Sequence, residues 1–274
     1  MRSMSIFTRL AAAAVTLSLA GCSASATRWE QPQGAPSSAP ASAAAPSGVA
    51  LPVHKAYGIP DFPPAPVAVP ISLPAGDKVP YLSRIPTTQK VAFLTIDDGY
   101  VKLPEAHKLI AEAGVPVTLF LTTDAIRDDP DYFRPLIDAG AVVEAHTITH
   151  TELRGKSYAF QRKEICGSAD KLAGWYKRRP VLFRPPFGTK DDTTLRAAHD
   201  CGMRAAFMWK ETVDKGKVRY QEEHKIKPGD IILMHFRPAF KADFLAALKA
   251  IHRAGLTPAL LEDYLTAPGG ASSR

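Results

Sequence analysis

Residues 91–99 read Val-Ala-Phe-Leu-Thr-Ile-Asp-Asp-Gly, an apolar run that ends in two adjacent carboxylates and a glycine. A short apolar run bounded by turn residues is typical of a strand buried on both faces. Charges placed directly after such a strand cost free energy unless they are paired or bind a metal ion. An Asp-Asp-Gly sequence by itself is usually a polar turn, but this position favours a functional site built on Asp97 and Asp98.

Outward from this stretch, apolar runs of strand length alternate with segments of helical period, several of which end at a glycine. The alternation predicts a parallel sheet, and about seven strand–helix units favour a (β/α) barrel that is closed or nearly closed. An open, doubly wound sheet is the alternative. The predicted strands are 91–96, 117–121, 142–145, 181–183, 205–208, 231–235 and 257–260, and the predicted helices are 103–113, 132–139, 158–175, 192–201 and 239–254.

The carboxyl ends of parallel strands meet at one edge of a sheet, where loops carry the reactive groups. His146 and His150 follow the third predicted strand, and in a helical turn both imidazoles would lie on one face. A histidine pair alone is weak evidence, but two histidines and one aspartate form a three-ligand site that leaves a metal an open position for water. The other strand ends carry Arg-Pro-Pro-Phe-Gly at 184–188, Trp209 and Leu-Met-His at 233–235.

The order of these motifs resembles that of the polysaccharide deacetylases, the NodB-homology group also called carbohydrate esterase family four. The resemblance rests on Thr-x-Asp-Asp-Gly from Thr95, His-Thr-x-x-His from His146 and Arg-Pro-Pro-Phe-Gly from Arg184, and it extends to His235. It implies a distorted (β/α) barrel with parallel strands. It also implies a metal-dependent hydrolase that removes N-acetyl groups from a cell-envelope or chitin-like polysaccharide. The implied cofactor is a divalent metal, zinc first, with cobalt, nickel or manganese as alternatives.

The resemblance assigns a role to each polar residue at this edge of the sheet. Asp97 would be the general base, held by Arg184, and His235 would be the general acid that protonates the departing amine. Trp209 would line the groove, with a core aromatic as an equal alternative. The metal ligands would be Asp98, His146 and His150, and the backbone amide of Phe187 would help to form the oxyanion hole.

One segment departs from the family pattern. After Trp209 the family carries aspartates that support the acid histidine, whereas Thr212 and Lys215 stand at those offsets here. Glu211 or Asp214 could take this role, and the spacing does not decide between them. Because an ester leaves more easily than an amide, an O-acetyl esterase of the xylan type with the same machinery is an alternative function. A non-catalytic glycan-binding lipoprotein is the alternative from another class.

The amino-terminal part of the chain differs in composition from the rest, since 13 of the 24 prolines fall between positions 31 and 90. Residues 1–21 have the basic flank and short apolar core of an export signal, and the run ending Leu-Ala-Gly-Cys at Cys22 resembles a lipobox. An ordinary secretory signal is the alternative. We therefore expect a lipid on Cys22 that anchors the protein to the outer face of a bacterial membrane. The expected segments are the signal peptide 1–21, a disordered Ala/Ser/Pro-rich tether 22–52, a proline-containing strap 53–88, the deacetylase domain 89–267 and a tail 268–274.

Cys166 and Cys201 belong to a domain expected outside the cytoplasm, where two cysteines of one domain commonly form a disulfide. The formal charge of +7 is not gathered into a basic stripe with aromatic residues, which argues against nucleic-acid binding. A single domain also disfavours a two-lobed solute-binding lipoprotein. We expect a monomer whose partners are the acetylated polysaccharide and, through the amino-terminal lipid, the membrane.

Overall fold

A single curled sheet of ten strands organises the residues that the computed structural model describes, 57–266. The predicted signal peptide, Cys22, the tether and the tail lie outside the described residues. In chain order the strands are β1 (Tyr81–Leu82), β2 (Val91–Asp98), β3 (Thr118–Leu121), β4 (Val142–Ala145), β5 (Leu182–Phe183), β6 (Ala205–Phe207), β7 (Glu211–Asp214), β8 (Lys217–Tyr220), β9 (Ile231–His235) and β10 (Thr257–Pro258).

The strands lie in the order β1-β6-β5-β4-β3-β2-β9-β7-β8, and β10 pairs with β2. All pairings are parallel except that of β7 with β8. Strands β2 to β6 are consecutive neighbours, so the order does not reverse as it does in a doubly wound sheet. The predicted distorted barrel is confirmed in the form of a curled half-barrel of mostly parallel strands.

Six helices accompany the sheet within residues 57–266, and three short 3₁₀ turns join them. The helices are α1 (Pro104–Ala113), α2 (Thr123–Ile126), α3 (Arg134–Asp138), α4 (Tyr158–Tyr176), α5 (Asp192–Asp200) and α6 (Phe240–Arg253), and the turns are Pro130–Phe133, Pro186–Gly188 and Leu261–Tyr264. None of the helices in this part of the chain is long and apolar enough to span a lipid bilayer.

The side chains of β2 alternate between two hydrophobic clusters, as the pleat of a strand requires. Ala92, Leu94 and Ile96 belong to the larger cluster, which also contains the buried faces of the helices. The odd-numbered Phe93 points to the opposite face of the strand and belongs to a smaller cluster. Because Asp97 shares the parity of Phe93, it continues that second face towards the carboxyl end of the strand.

Strand β1 was not predicted, and the predicted helices and strands differ from the observed ones in three further places. The segment predicted as one helix over 132–139 is divided into the 3₁₀ turn Pro130–Phe133 and helix α3, which has a proline in its first turn. Helix α2 was not expected from its four residues. The hairpin of β7 and β8 was also missed, because β7 is mostly polar and the polar–apolar alternation of β8 extends over only four residues.

The described part of the strap, from residue 57, packs against the sheet and helices at some positions only. Ile59 is buried, Tyr57 and Phe62 pack against the larger cluster, and Ile71 bridges to Leu265. Val67, in the same segment, is 90% exposed. The strap therefore holds to the domain at separated points.

The structure brings Cys166, on α4, together with Cys201, which follows α5. Their sulfur atoms are 2.09 Å apart, the separation of a disulfide, and the two cysteines are 35 positions apart in sequence. A bond at this place fixes α4 to the end of α5, and α4 lies beside the segment that carries His146 and His150.

We expect the Cys166→Ser/Cys201→Ser double variant to lose about 2–4 kcal/mol of unfolding free energy, because the bond restricts the unfolded chain. Urea denaturation of exported wild-type and variant protein measures the difference. Intact-mass analysis after alkylation supplies the control: both thiols of the wild-type protein should react only after reduction. Two free thiols in unreduced, exported protein would contradict the disulfide.

Candidate active site

Asp97 and Asp98 end strand β2 in two different conformations. Asp97 remains in the sheet, opposite His235 of β9 and Phe120 of β3. Asp98 has a left-handed backbone with φ of 77°, followed by Gly99 with φ of 98°. A Cβ at Gly99 would lie 2.5 Å from Cγ2 of Ile126, so only glycine fits this turn. The turn directs the two neighbouring carboxylates to different partners.

Asp98, His146 and His150 form a group with the geometry of a metal site. Their ligand atoms all lie within 4.8 Å of one another. The Oδ1 atom of Asp98 is 3.3 Å from Nε2 of His150 and 3.5 Å from Nε2 of His146. This oxygen is buried and has no hydrogen-bond partner among the described residues. Burying such an oxygen costs free energy unless a cation binds it. Two imidazoles and one carboxylate are the ligand types that suit zinc and similar divalent ions.

The second ring nitrogen of His146 is also fixed. Its Nδ1 is 2.7 Å from the backbone oxygen of Arg184, to which it donates as an N–H. This tautomer leaves Nε2 with its lone pair directed towards Asp98 and His150, as a metal ligand requires.

The segment that carries the two histidines is not the helical turn that their spacing suggested. Thr147 and His150 have left-handed backbones, with φ of 69° and 58°. His146 directly follows β4, and the chain then turns sharply, which brings the imidazole rings of His146 and His150 together beside Asp98. Their centroids are 4.9 Å apart. The residues predicted as ligands meet, although through a loop of a different form.

The charges of the site shift the pKa values of its members in the directions expected for a cation site. Burial opposes ionisation of Asp98, but its contacts with His146 outweigh burial and lower its pKa. Burial likewise opposes the charged form of His146, but the carboxylates of Asp97 and Asp98 raise its pKa. The pKa of His150 is lowered, first by burial and then by the neighbouring His146. A positive charge among these three groups is thus favoured.

Arg184 holds Asp97 from inside the sheet. The side chain of Arg184 is fully buried, and its Nη1 donates to Oδ1 of Asp97 at 2.6 Å and to the hydroxyl of Thr95 at 2.8 Å. The guanidinium lies over the ring of Phe120, 4.3 Å from its centroid. Oδ2 of Asp97 is 3.6 Å from Nε2 of His146. Asp97 is therefore oriented on one side by a cation and faces the histidines on the other.

His235 ends strand β9 directly opposite Asp97. Burial lowers its pKa, although the charges of Asp97 and Asp98 act in the opposite direction. Among the described residues, neither Glu211 nor Asp214 makes a hydrogen bond or ion pair with it. The structure therefore shows no contact through which Glu211 or Asp214 would support His235.

The structure gives Glu211 and Asp214 other partners. The pKa of Glu211 is raised to about 9, first by burial and then by the nearby Asp230. Asp230 is buried and forms an ion pair with Arg84. Asp214 lies 3.5 Å from Nη1 of Arg237 at the rim. The sequence analysis also missed Asp243 of α6, whose Oδ1 accepts from the amide of Gly216 at 2.6 Å. The buried carboxyl of Asp243 has a pKa raised by burial, and His235 is among the charges that act on it.

Phe187 and Trp209 occupy different environments beside the histidines. Phe187 has φ of 60°, is 61% exposed, and its ring centroid lies 4.8 Å from that of His150. Trp209 is half-buried and packs against the smaller hydrophobic cluster, with its ring 5.6 Å from the guanidinium of Arg184. A Cβ at Gly188 would approach Sδ of Met208 to 2.2 Å, so the turn after Phe187 closes tightly on this wall. The remaining histidines of the described part lie elsewhere: His199, His224 and His252 are exposed, and His107 is half-buried against the backbone of Tyr132.

Comparison with known proteins agrees with this arrangement of fold and site. The sequence model of the polysaccharide deacetylase family matches residues 84–206. An uncharacterized protein of Streptomyces coelicolor is 40% identical over 192 residues, which cover 68% of this chain and 77% of that protein. The peptidoglycan-N-acetylmuramic acid deacetylase PdaA of Bacillus subtilis is 27% identical over 195 residues, covering 65% of this chain and 73% of that protein. The chain belongs to the polysaccharide deacetylase family.

Solved structures show the same fold. A family 4 carbohydrate esterase from Streptomyces lividans, in complex with acetate, superposes with a TM-score of 0.55 at 22% identity, covering 64% of this chain and 94% of that chain. A family 4 pseudoenzyme from Bacillus anthracis superposes with a TM-score of 0.60 at 21% identity, covering 67% and 68%. The half-barrel is thus shared by chains with and without activity, so function has to be argued from the site.

We expect Glu211→Gln to flatten the pH dependence of stability. In the folded protein the raised pKa keeps Glu211 protonated, whereas in the unfolded chain it ionises near its ordinary value of 4.5. The favourable contribution is therefore complete below pH 4.5 and is lost as the pH rises towards about 9. The loss has a limiting slope of about 1.4 kcal/mol per pH unit. Gln mimics the protonated carboxyl. Urea denaturation should therefore show that the unfolding free energy of the variant rises relative to that of the wild type between pH 5 and pH 8.

The exposed carboxyl of Glu105 provides the matched control, since Glu105→Gln makes the same chemical change at the surface. All proteins are measured without metal, so that the metal site does not contribute to the pH profile. Parallel pH profiles for wild type and Glu211→Gln would show that the carboxyl of Glu211 is ionised in the folded protein.

Proposed function

We propose that this protein is a metal-dependent hydrolase that removes N-acetyl groups from an acetylated polysaccharide of the cell envelope or of chitin-like structure. The observation that carries the proposal is the meeting of Asp98, His146 and His150 beside the Asp97–Arg184 pair. Relatives that are named for an activity support this proposal. They include peptidoglycan N-acetylmuramic acid, peptidoglycan N-acetylglucosamine and chitooligosaccharide deacetylases.

In the proposed reaction Asp97 is the general base. It lies beside the three-ligand group, so it is placed to accept a proton from a water molecule held there. Its ion pair with Arg184 fixes the orientation of the carboxylate. When bound, a divalent metal acidifies water and polarises the acetyl carbonyl oxygen. We propose zinc for this ion, because the ligands are two imidazoles and one carboxylate; cobalt, nickel and manganese accept the same set with lower affinity.

Two further groups complete the proposed chemistry. The backbone amide of Phe187 contributes to the stabilisation of the carbonyl oxygen as negative charge develops on it. His235 donates a proton to the departing amine, which leaves only after protonation. Its lowered pKa makes the imidazolium a stronger acid, at the cost of a smaller protonated fraction at neutral pH. Phe187 and Trp209 give a sugar ring apolar faces on which to lie.

An O-acetyl esterase is the second candidate, and one observation favours it. No carboxylate of the described residues forms a hydrogen bond or ion pair with the His235 side chain, so the acid lacks the support that a poor leaving group needs most. An alkoxide leaves more easily than the anion of an unprotonated amine, so an ester substrate would depend less on this acid. The non-catalytic glycan-binding alternative is disfavoured, because the base, the ligand group and His235 all lie within one site.

We further propose that the protein is a lipoprotein anchored through Cys22 at the outer face of a bacterial membrane. The support is the sequence from Leu19 to Cys22 after a short apolar segment. Cys22→Ser should release the domain from the membrane fraction into the soluble exported fraction, measured by immunoblotting after fractionation in a bacterial host. The Cys166→Ser/Cys201→Ser double variant is the control, because it removes the other two cysteines together without touching the lipobox. A Cys22→Ser protein that stays in the membrane fraction would contradict lipid anchoring.

The catalytic assignment separates metal binding from proton transfer. Asp98→Ala removes a ligand, so it should lose most of its bound zinc and with it the release of acetate from N-acetylglucosamine oligomers. Asp97→Asn keeps the size of the base but cannot accept the proton, so we expect it to retain zinc and lose at least about 100-fold in kcat. Metal analysis and an acetate-release assay measure the two effects separately.

Glu105→Gln controls for loss of a carboxylate far from the site. Wild-type acetate release on N-acetylglucosamine oligomers, on peptidoglycan glycan strands and on acetylated xylan decides between amide and ester substrates. Activity on xylan alone would favour the esterase, and saturable glycan binding without acetate release at any added zinc, cobalt or manganese would favour a binding protein. Full activity of Asp97→Asn would exclude Asp97 as the base.

A further inference from the structure

The loop that carries the two histidines, residues 146–150, lies outside both helix and sheet, so its backbone polar groups need partners from elsewhere. One side of the loop is held by the segment after β3. The hydroxyl of Thr122 and the amides of Thr123 and Asp124 donate to the carbonyl oxygens of His146, Thr147 and Ile148 at 3.0, 3.2 and 2.9 Å, respectively.

The other side of the loop is held by a single carboxylate, that of Glu164 on α4. Its Oε2 accepts from the amide of Ile148 at 3.0 Å, from the amide of Thr149 at 2.9 Å and from the hydroxyl of Thr149 at 3.1 Å. Glu164 is buried. A charged acceptor forms stronger hydrogen bonds than a neutral one, and the two backbone amides would lose this acceptor at a partly buried place.

Helix α4 is shaped to bring this carboxylate close to the loop. Gly167 lies almost one turn after Glu164, and a Cβ there would approach Cδ1 of Ile148 to 2.8 Å. The absent side chain therefore allows the helix to pack directly on the loop. Between these two residues Cys166 joins α4 to Cys201, which restrains the helix from its other side.

The loop needs restraint because its conformation is unfavourable by itself. Thr147 and His150 are non-glycine residues with positive φ, and such a conformation persists only where the surroundings impose it. The amide of His150 is held within the loop, by the hydroxyl of Thr147 at 3.1 Å. The amides between these two strained residues are those that Glu164 binds.

We propose that Glu164 is a positioning residue that holds the loop of His146 and His150 in the conformation that binds the metal. The proposal rests on the metal site of the proposed function. Glu164 accepts its hydrogen bonds from the backbone and hydroxyl of the loop, so it acts through the histidines and not on substrate. Without it, the loop relaxes and the two imidazoles lose the preorganised separation that lets them share one ion with Asp98.

Zinc affinity of the metal-free protein tests the proposal, measured by competition with a chromophoric chelator. Glu164→Ala should bind zinc about 10–100-fold more weakly than wild type, the range for loss of a group that orients metal ligands. Its cobalt complex should show an altered visible spectrum, since the ligand geometry changes. Asp170→Asn is the matched control on the same helix: it removes an exposed carboxylate paired with Arg179, and its zinc affinity should equal that of wild type.

A second variant keeps the proposal testable if Glu164→Ala does not fold, which its thermal melting without metal will show. Glu164→Asp retains the charge but withdraws the carboxylate by one methylene, so zinc affinity should again fall. Wild-type zinc affinity and cobalt spectrum in a folded Glu164→Ala protein, or in Glu164→Asp where the alanine variant is unfolded, would overturn the proposal. Failure of the wild-type protein itself to bind zinc or cobalt would instead refute the metal site of the proposed function.

Discussion

The buried guanidinium of Arg184 is the constraint on which the rest of the site depends. A fully buried cation is costly unless its charge and hydrogen bonds are largely satisfied. Here Asp97 and Thr95 accept from Nη1 and the guanidinium lies over the ring of Phe120, while Nε has no hydrogen-bond partner among the described residues. The backbone of the same residue accepts from Nδ1 of His146, and its amide donates to the carbonyl of Ala145 at 3.0 Å. One residue thus holds the proposed base, orients a proposed metal ligand and joins strands β2, β4 and β5. Replacing this pair with apolar residues could preserve the core, but it would remove the charge that the site uses.

The position of the pair follows from the alternation along β2. Residues of one parity pack beneath the helices, and Phe93, Thr95 and Asp97 continue the other face. This second face of β2 is apolar at the start of the strand and polar at its carboxyl end, where Asp97 lies opposite His235 of β9. The same strand therefore supplies both the core that holds the sheet and the group that acts in the site. A break in the alternation would disturb both.

Sequence reasoning predicted the parallel strands and the residues of the site because both leave local signals. Apolar runs marked the strands, and Asp-Asp-Gly, the histidine pair and Arg-Pro-Pro-Phe-Gly stand directly after them. Three features lacked such a signal. The hairpin 211–220 is mixed in polarity, Asp243 and Glu164 are single acids in helical segments, and the spacing of His146 and His150 suggested a helix because spacing carries no information about φ. The roles of the two acids depend on contacts distant in sequence, such as the 15 positions that separate Thr149 from Glu164.

The distribution of backbone strain explains why those distant contacts matter. Within residues 57–266, six non-glycine residues have positive φ, and four of them surround the site: Asp98, Thr147, His150 and Phe187. The other two, Lys177 and Lys215, lie at a helix end and a hairpin turn, where left-handed residues are expected. Each strained segment at the site is held from outside. The narrow space at Gly99 confines the turn that contains Asp98, and Glu164 binds the loop of Thr147 and His150. Beside Phe187, the hydroxyl of Tyr81 donates to the carbonyl of Gly188 at 2.5 Å. The cost of bringing base, ligands and groove wall together is therefore offset by residues that do not touch substrate. Those supporting residues are part of what makes the half-barrel a site and not only a fold.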